Sequence, residues 1–345
     1  MRAMVLNKLG PVAQGRAPLD LQDVPMPVPG IGEVLVKVVA CGVCHTELDE
    51  IEGRMPPPRL PVILGHQVVG RVERIGAGAG PAPLRVGDRV GVAWIYSACG
   101  KCGFCLAGKE NLCVDFKATG RDANGGYAEY MTVREGFAYR IPDVFSDVEA
   151  APLLCAGAIG YRSIQLTGLK DGSTLGLTGF GASAHLVLMI ARHRYPRSKV
   201  FVFSRSPEER SFALGLGAAW AGEIGEDAPE RLSSIIDTTP AWKPVVEALK
   251  NLEPGGRLVI NAIRKEDADK DYLSRIDYPF HLWMEKEIKS VANVARSDVR
   301  EFLELASEIP IRPQVEEFAL EDANRALVEL KTRKIRGAKV LRISR

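Results

Sequence analysis

The middle of the chain alternates short apolar segments, glycine or polar turns, and longer helix-like segments. This alternation constrains the fold more than any other feature of the sequence. The segment STLGLTGFGASAHLVLMIARHR has the pattern of a buried strand, a glycine turn and an apolar helix. KVFVFSRSPEERSFALGLGA repeats that order, and SSIIDTT followed by KPVVEALKNLEPGGRLVINAI repeats it again. Such alternation predicts a doubly wound parallel sheet.

The first part of the chain has a different pattern. EVLVKVVACGV, VVGRVERIG and GDRVGVAW are short β-branched runs separated by Gly, Pro and Asp turns, which predicts a β-rich domain. At the other end, two helical segments precede the apolar run AKVLRIS. We expect this last strand to rejoin the N-terminal β domain, so the predicted class is α/β with two domains.

Composition narrows the possible partners. The chain has 345 residues, 46% hydrophobic and 26% charged, which suits two globular domains. Its net charge is +2 from 45 basic and 43 acidic residues, so neither a nucleic-acid nor a membrane-surface partner is expected. The opening MRAMVLNKLGP lacks an apolar signal segment, and no apolar run is long enough to span a bilayer. We therefore expect a cytoplasmic location.

Four of the seven cysteines lie within the segment CGKCGFCLAGKENLC: Cys99, Cys102, Cys105 and Cys113. In a reducing compartment, cysteines this close together indicate a metal site rather than disulfides. Four thiolates can surround one zinc ion tetrahedrally and leave no position for a substrate, so the predicted site is structural. An iron–sulfur cluster or free thiols are the alternatives.

The first glycine turn, TGFGASA, follows a predicted strand and opens a predicted helix. A dinucleotide-binding turn requires this context, because the pyrophosphate lies against the helix N-terminus. Gly179, Gly181 and Ala182 are the predicted cofactor-binding residues of this turn. The alternative is a plain strand-to-helix turn.

The end of the next strand bears on the choice of dinucleotide. An NAD site has Asp or Glu there to bind the ribose 2′-hydroxyl. Here the strand runs into Ser204, Arg205 and Ser206, with Arg210 one turn later. Hydroxyls and guanidiniums suit a 2′-phosphate, so we expect NADP(H) to be favoured over NAD(H). The alternative is a solvated loop with surface arginines.

Cys41, Cys44, Cys155 and His66 remain for a second metal. None lies in a complete ligand motif, and a single histidine in an apolar segment such as LGHQVVG is more often a core residue. The residues alone leave the question open.

Several motifs occur in an order that resembles the zinc-dependent medium-chain alcohol dehydrogenases. They are CGVCHTE, GHQVVGRVERIG, VGDRVG, the four-cysteine segment, AAPLLCAGAIGYRSI and GFGASA. The resemblance extends from about Met4 to Ile343. It implies a GroES-like catalytic domain at 1–152 and 297–345, and a Rossmann domain at 153–296.

The resemblance also implies the site residues. Cys44, His66 and Cys155 would bind a catalytic zinc with one open position, giving two zinc ions per chain, and Cys41 would be a spare buried thiol. The other implied roles fall to residues near this zinc. The Thr46 hydroxyl would take the alcohol proton, and His45 would contact the pyrophosphate. Glu47 would be the acidic partner of the histidine ligand, and Trp94 with Met55 would line the substrate pocket.

The chain departs from the family pattern at three places. Asp49 stands where a relay histidine is usual. Ala338 stands where an arginine often binds the pyrophosphate, and Arg336 or Lys339 is expected to substitute. Gln67 follows the histidine ligand in place of the usual Glu. We interpret it as an uncharged residue beside the zinc, the alternative being an amide that only satisfies a backbone group.

These features predict a zinc-dependent alcohol dehydrogenase. It would transfer hydride reversibly between a small primary or secondary alcohol, or the corresponding carbonyl compound, and NAD(P). A zinc-independent quinone or enoyl reductase of the same superfamily, or a zinc-bearing binding protein without turnover, are the alternatives. The family also implies a homodimer or homotetramer.

Overall fold

A computed structural model describes residues 1–78, 84–309, 311–332 and 337–344. Within this part of the chain, the backbone packs into two compact units. One comprises Met1–Cys155 with Val294–Arg345, and the other Ala156–Asn293. Among the described helices, none is both long and apolar enough to cross a lipid bilayer.

The described elements up to residue 155 belong to the first unit. Its strands here are β1 (Arg2–Leu6), β2 (Leu19–Asp23), β3 (Glu33–Val43), β4 (Val62–Ile63), β5 (Gln67–Ile75), β6 (Arg89–Val92), β7 (Ile95–Ser97), β8 (Lys117–Ala118), β9 (Tyr130–Arg134) and β10 (Ala138–Arg140). Its helices here are α1 (His45–Ile51), α2 (Gly103–Leu106) and α3 (Asp147–Pro152), which continues into a π-helical turn at Leu153–Gly157.

The second unit follows, and the chain then returns to the first. The second unit contains α4 (Ala158–Thr167), β11 (Thr174–Thr178), α5 (Ala182–Arg194), β12 (Lys199–Phe203), α6 (Pro207–Gly215), β13 (Trp220–Gly222), β14 (Leu232–Asp237), α7 (Lys243–Leu249), β15 (Leu252–Ile260) and β16 (Glu287–Ser290). The returning segment forms α8 (Arg296–Glu308), β17 (Val315–Ala319), α9 (Ala323–Lys331) and β18 (Ala338–Arg342).

The main sheet of the first unit is built around the long strand β3. The strands lie in the order β10-β6-β5-β3-β18-β17, and β9 also pairs with β3. β18 pairs antiparallel with β3, so the last strand rejoins the N-terminal β-rich unit. Both faces of β3 are largely buried, which explains its continuous run of small and β-branched residues.

The second unit contains the doubly wound sheet that the alternating pattern predicted. Its strands lie in the order β13-β12-β11-β14-β15-β16, and every pairing is parallel. The chain order reverses between β11 and β14, and ligands of open α/β sheets bind beside such a switch point. The fold class predicted from the sequence is therefore confirmed.

The core of the second unit explains why its strands have unbroken apolar runs. Fully buried side chains from β12, β14, α7 and β15 pack together: Phe201, Phe203, Leu232, Ile235, Leu249 and Leu258. Burial of one such side chain contributes about 1.5–3 kcal/mol, so this packing stabilises the part of the sheet formed by β12, β14 and β15.

Candidate functional site

Cys44 and His66 are brought together by the pairing of two neighbouring strands. β3 and β5 are antiparallel, with Gly42 directly opposite Gln67. Cys44 follows the end of β3, and His66 immediately precedes β5. Because the pairing register fixes both strand ends, residues twenty-two positions apart in the sequence meet at the same edge of the sheet.

Cys155 reaches the same place from a different element. It lies in the π-helical turn that follows α3, and α3 packs against both β3 and β5. The Cys155 sulfur is 3.4 Å from Nε2 of His66. The two sulfurs and one imidazole nitrogen of Cys44, Cys155 and His66 all lie within 4.8 Å of one another. Sequence spacing could not show this cluster, although the resemblance implied it.

The Glu47 carboxylate contacts both His66 and the backbone of Cys44. Its Oε1 is 2.6 Å from Nδ1 of His66, and both side chains are buried. Its Oε2 accepts a hydrogen bond of 2.8 Å from the backbone N–H of Cys44. One carboxylate thus orients the imidazole so that Nε2 faces the sulfurs, and it also fixes the backbone of Cys44 at the start of α1.

The electrostatics of the cluster favour a cation. Burial lowers the pKa of His66, but the neighbouring Glu47 carboxylate and Cys44 raise it well above its usual range. A hydrogen bond with Cys155 holds the pKa of the Cys44 thiol well below its usual range, and the same bond raises that of Cys155. Buried anionic groups that compete for one proton are stabilised by a metal ion, and two thiolates with one imidazole suit zinc.

Thr46 and Gln67 lie beside this cluster. The buried Thr46 hydroxyl oxygen is 3.7 Å from the Cys44 sulfur. Gln67 is also buried, and its side chain lies over Gly42 in the adjacent strand, where a Cβ on that glycine would be 2.5 Å from the amide oxygen. A glycine at position 42 therefore leaves room for the glutamine. The role of Gln67 toward a metal stays a prediction.

Asp49, the residue at the expected relay position, lies on the same helix. It is three residues after Thr46, a spacing that places both on one face of α1. Its carboxylate forms an ion pair with the guanidinium of Arg54, which also contacts Glu52 at 2.5 Å. The Asp49 carboxylate is thus fixed and charge-compensated, a feature that the sequence did not indicate.

The structure also gives positions to the remaining residues predicted around the catalytic centre. His45 is exposed as the first residue of α1, and Met55 is half-buried just beyond it. Trp94 is half-buried against Phe116, with ring centroids 5.3 Å apart. The expected contacts of His45 with the cofactor, and of Met55 and Trp94 with substrate, stay predictions.

The four clustered cysteines form a second candidate metal centre. The sulfurs of Cys99, Cys102, Cys105 and Cys113 all lie within 4.8 Å of one another. Backbone N–H groups of Cys99 and Cys102 point at sulfurs of the set, at 3.4 and 3.3 Å. Backbone hydrogen bonds lower the pKa of Cys99 to about 6, whereas burial raises that of Cys105 to about 12. Four sulfurs in a compact lobe suit a closed, structural zinc site.

The predicted dinucleotide turn joins β11 to α5. Gly179 has a φ of +75°, and a Cβ there would lie 2.9 Å from side-chain atoms of Thr238 and Thr239, so only glycine fits. Gly181 caps the helix, and a Cβ on it would meet nothing within 4 Å. Ala182 begins the 13-residue helix, whose first turn carries no acidic residue. Open space before a helix N-terminus suits a pyrophosphate.

The residues after β12 are more constrained than the sequence suggested. The Ser204 hydroxyl donates to the Glu209 carboxylate, and the Ser206 hydroxyl donates to Glu208 at 2.6 Å. Arg210 donates to the Ser204 carbonyl oxygen at 2.7 Å. Arg205 is exposed, and within the described part of the chain its side chain makes no hydrogen bond or ion pair.

For two buried side chains the sequence analysis was incomplete or wrong: it did not single out Glu50, and it assigned Lys339 a contact with the pyrophosphate. Glu50 is 1% exposed, and burial together with the negative charge of Glu47 raises its pKa well above the usual range. Lys339 cannot substitute for the pyrophosphate arginine, because it is buried and pairs with Glu316 and Glu329, at 2.6 Å each. Arg336, the other expected substitute, lies outside the described residues.

A β-rich unit with two candidate cysteine-based metal centres, followed in the chain by a doubly wound sheet with a candidate dinucleotide turn, has the features of a zinc-type dehydrogenase. The model of the alcohol dehydrogenase GroES-like domain matches residues 30–143. A probable alcohol dehydrogenase, AdhA, of Mycobacterium tuberculosis is 41% identical, covering 99% of this chain and 97% of the relative. An alcohol dehydrogenase of Geobacillus stearothermophilus is 33% identical, covering 97% of this chain and 99% of the relative.

The solved structures agree with the sequence comparisons. A cinnamyl alcohol dehydrogenase from Sorghum bicolor superposes with a TM-score of 0.82 at 28% identity, covering 99% of this chain and 97% of that one. The chain belongs to the zinc-type medium-chain alcohol dehydrogenase family, as the resemblance had indicated.

Proposed function

We propose that the protein is a zinc-dependent alcohol dehydrogenase that transfers hydride reversibly between a small primary or secondary alcohol and a nicotinamide dinucleotide. The observation that carries this proposal is the convergence of Cys44, His66 and Cys155 from three separate elements, with the Glu47 carboxylate 2.6 Å from the imidazole. A core histidine would need one hydrogen-bond partner. It would not need two thiol groups within 4.8 Å on its other side.

The residues present fit both metal ions. Cys44, Cys155 and His66 would hold a zinc with one position left for substrate, and the four-cysteine lobe would hold a second, structural zinc. When bound, the catalytic zinc supplies a Lewis acid that makes the hydroxyl of an alcohol more acidic, and the nicotinamide supplies the hydride acceptor.

The chain's own side chains provide the proton path. The Thr46 hydroxyl, 3.7 Å from the Cys44 sulfur, can accept the alcohol proton and pass on its own. Asp49 lies on the same face of α1, and its ion pair with Arg54 orients the carboxylate. We assign Asp49 to the exit of the proton in place of the usual histidine. Trp94 and Met55 are assigned to the walls of the alcohol pocket.

The second unit carries the cofactor site. The backbone at Gly179, Gly181 and Ala182 receives the pyrophosphate, because α5 presents unpaired N–H groups at a helix N-terminus with open space before it. His45 is assigned to a further pyrophosphate contact. NADP(H) is favoured over NAD(H), because Arg205 offers an uncompensated guanidinium just beyond β12.

We assign the location to the cytoplasm, since all seven cysteines are free thiols and a reducing compartment keeps them available for metal. We also assign a homo-oligomer with two copies joined through β16. This strand is exposed along its whole length and lies at the edge of the parallel sheet. The segment that precedes it in the chain carries exposed apolar side chains: Tyr278, Phe280, Trp283 and Met284.

The proposal is tested by counting zinc per chain and measuring the absorbance at 340 nm with a panel of alcohols and each cofactor. Two zinc ions and alcohol-dependent reduction of the nicotinamide are expected. Cys44→Ala should lose one zinc and all turnover. The matched variant Cys41→Ala should keep two zinc ions and its turnover. Full activity of Cys44→Ala would overturn the assignment, and would favour the zinc-independent reductases of the superfamily. Intact zinc without turnover on any alcohol would favour a binding protein.

A further inference from the structure

A carboxylate lies at the end of the second strand of the parallel sheet, although the sequence places none there. Ser204 is the first residue after β12 and is buried. Its hydroxyl donates to Oε2 of Glu209, which is five residues further along the chain, and accepts from the backbone N–H of Ser206 at 3.2 Å. The hydroxyl of Ser204 therefore holds the Glu209 carboxylate beside the strand end.

Glu209 takes this position because it does not close the capping box of its own helix. Ser206 caps α6 by accepting from the backbone N–H of Glu209, at 3.2 Å. In a capping box the side chain at this third helical position would bond back to the backbone N–H of the cap residue. Here the backbone N–H of Ser206 bonds to the Ser204 hydroxyl instead, and the Glu209 side chain is free to turn toward β12.

Two arginines lie in the same segment at the end of β12, residues 204–210, which we call the β12 corner. Arg210 is committed to the protein, because it donates to the Ser204 carbonyl oxygen at 2.7 Å and lies 3.5 Å from the carboxylate of Glu223. Arg205 is exposed between the two serines. The β12 corner thus presents a carboxylate, which binds a ribose hydroxyl but repels a phosphate, next to a guanidinium that attracts a phosphate.

We propose that Glu209 is a specificity-determining residue for the adenosine ribose. It accepts a hydrogen bond from the 2′-hydroxyl of NAD(H) and repels the 2′-phosphate of NADP(H), while Arg205 attracts that phosphate. The site therefore accepts both dinucleotides, and Glu209 limits the preference for NADP(H). This inference rests on the proposed function, since it assumes that a dinucleotide binds along β11 and β12.

The test is the affinity of the zinc-loaded protein for NADH and for NADPH, measured by titration calorimetry without substrate. Wild type should bind both. Glu209→Gln should bind NADPH about tenfold more tightly and NADH several-fold more weakly, because the amide removes the negative charge. Glu208→Gln is the matched control: it lies on the same turn, and its carboxylate accepts from the Ser206 hydroxyl rather than from the Ser204 hydroxyl at the strand end. Neither affinity should change by more than about twofold in the control.

A second variant guards against a merely structural role. Glu209→Asp keeps the charge but shortens the side chain, so its NADPH-to-NADH affinity ratio should fall between those of wild type and Glu209→Gln. An unchanged ratio in both variants, or equal weakening of the two cofactors, would overturn the assignment of Glu209 while leaving the dehydrogenase proposal intact. Failure of wild type to bind either dinucleotide would overturn the proposed function and this inference together.

Discussion

Glu47 and His66 are joined by a contact of 2.6 Å between Oε1 and Nδ1, and both side chains are buried. The contact fixes which imidazole nitrogen faces the two thiols. Since a carboxylate behind a histidine ligand also raises the basicity of the ligating nitrogen, we expect this pair to increase the affinity of the site for a metal ion.

Removing the charge of Glu47 tests this relationship. Glu47→Gln should lower the affinity of the catalytic site for zinc by roughly 10- to 100-fold and leave the four-cysteine site loaded. The measurement is competition with a chromophoric chelator, read as zinc retained per chain. Glu321→Gln, an exposed glutamate of the same unit, is the control. Equal zinc retention in the two variants would show that Glu47 serves only the fold.

The two perturbed thiols of the four-cysteine lobe should differ in reactivity. The pKa of Cys99 is about 6 and that of Cys105 about 12, so at pH 7 the first is mostly thiolate and the second a thiol. The thiolate is the nucleophile, but a low pKa also reduces its intrinsic reactivity. Iodoacetamide should therefore label Cys99 in the metal-free chain roughly a hundredfold faster than Cys105 at pH 7.

Peptide mapping by mass spectrometry measures both rates. The labelling of Cys99 should fall as the pH drops through 6, because its thiolate becomes protonated, and that of Cys105 should rise only at high pH. The zinc-loaded chain, in which the four sulfurs are protected, is the control. Equal labelling rates for Cys99 and Cys105 at pH 7 would contradict the difference in their surroundings.

The parts of the fold that depend on local pattern could be predicted from the sequence. Strand, glycine turn and helix succeed one another within about twenty residues, so the alternation directly indicates a parallel sheet. The four-cysteine lobe is also local. Its sulfurs come from fifteen consecutive residues, and positive φ angles at Gly100 and Gly108 let the backbone turn around them.

The proposed catalytic centre could not be predicted from spacing, because it depends on the register of strand pairing. Cys41 and Cys44 are both cysteines and differ in their position relative to β3. Cys41 is fully buried within the strand, and Cys44 lies just beyond its end. Pairing of Gly42 with Gln67 then selects Cys44 as the neighbour of His66. Only the resemblance to a family could supply that choice before the structure.

The direction of individual side chains was the other feature that could not be predicted from the sequence. Glu209 follows Ser206 by three residues, which is the spacing of a capping box, and that spacing was the available signal. Whether such a glutamate bonds back to its cap or turns toward a neighbouring strand depends on the position of Ser204 in the folded unit. The same applies to the buried Lys339, whose ion-pair partners Glu316 and Glu329 come from two other elements.

Arg205 provides a direct test of the expected cofactor preference. Arg205→Ala should raise the dissociation constant for NADPH about tenfold, since a charge-assisted hydrogen bond to phosphate contributes roughly 1.5–3 kcal/mol. Binding of NADH should change little. Arg197→Ala, which removes an exposed arginine paired with Asp171 in the same unit, is the control. A wild-type chain that prefers NADH would show that Arg205 is a solvated surface residue.

The exposed edge of the parallel sheet predicts how two copies associate. Ile288 lies in the middle of β16 and is 43% exposed, so a charge there should disfavour strand pairing between copies. Ile288→Asp should elute as a monomer in size-exclusion chromatography with light scattering, and wild type as a dimer or tetramer. Ile31→Asp changes a more exposed isoleucine of the other unit and should not alter the mass. A wild-type monomer would contradict the assignment.

Gly65 has a backbone conformation on which the position of His66 depends. Its φ is +95°, and a Cβ there would lie 2.4 Å from the ring of the buried Tyr127 and 2.8 Å from the Cys41 sulfur. Gly87→Ala is a matched control, since that glycine has a φ of +90° but a Cβ on it would meet nothing within 4 Å. The control should lose on the order of 1 kcal/mol of unfolding free energy from backbone strain alone.

Gly65→Ala should lose clearly more unfolding free energy than the control, because overlap with the fully buried ring of Tyr127 adds to the same backbone strain. It should also lose zinc from the catalytic site, since relieving the overlap displaces the adjacent His66. Urea unfolding and zinc content measure the two effects. Equal destabilisation of the Gly65 and Gly87 variants, with zinc retained in both, would show that the ring of Tyr127 yields and that Gly65 does not position the ligand.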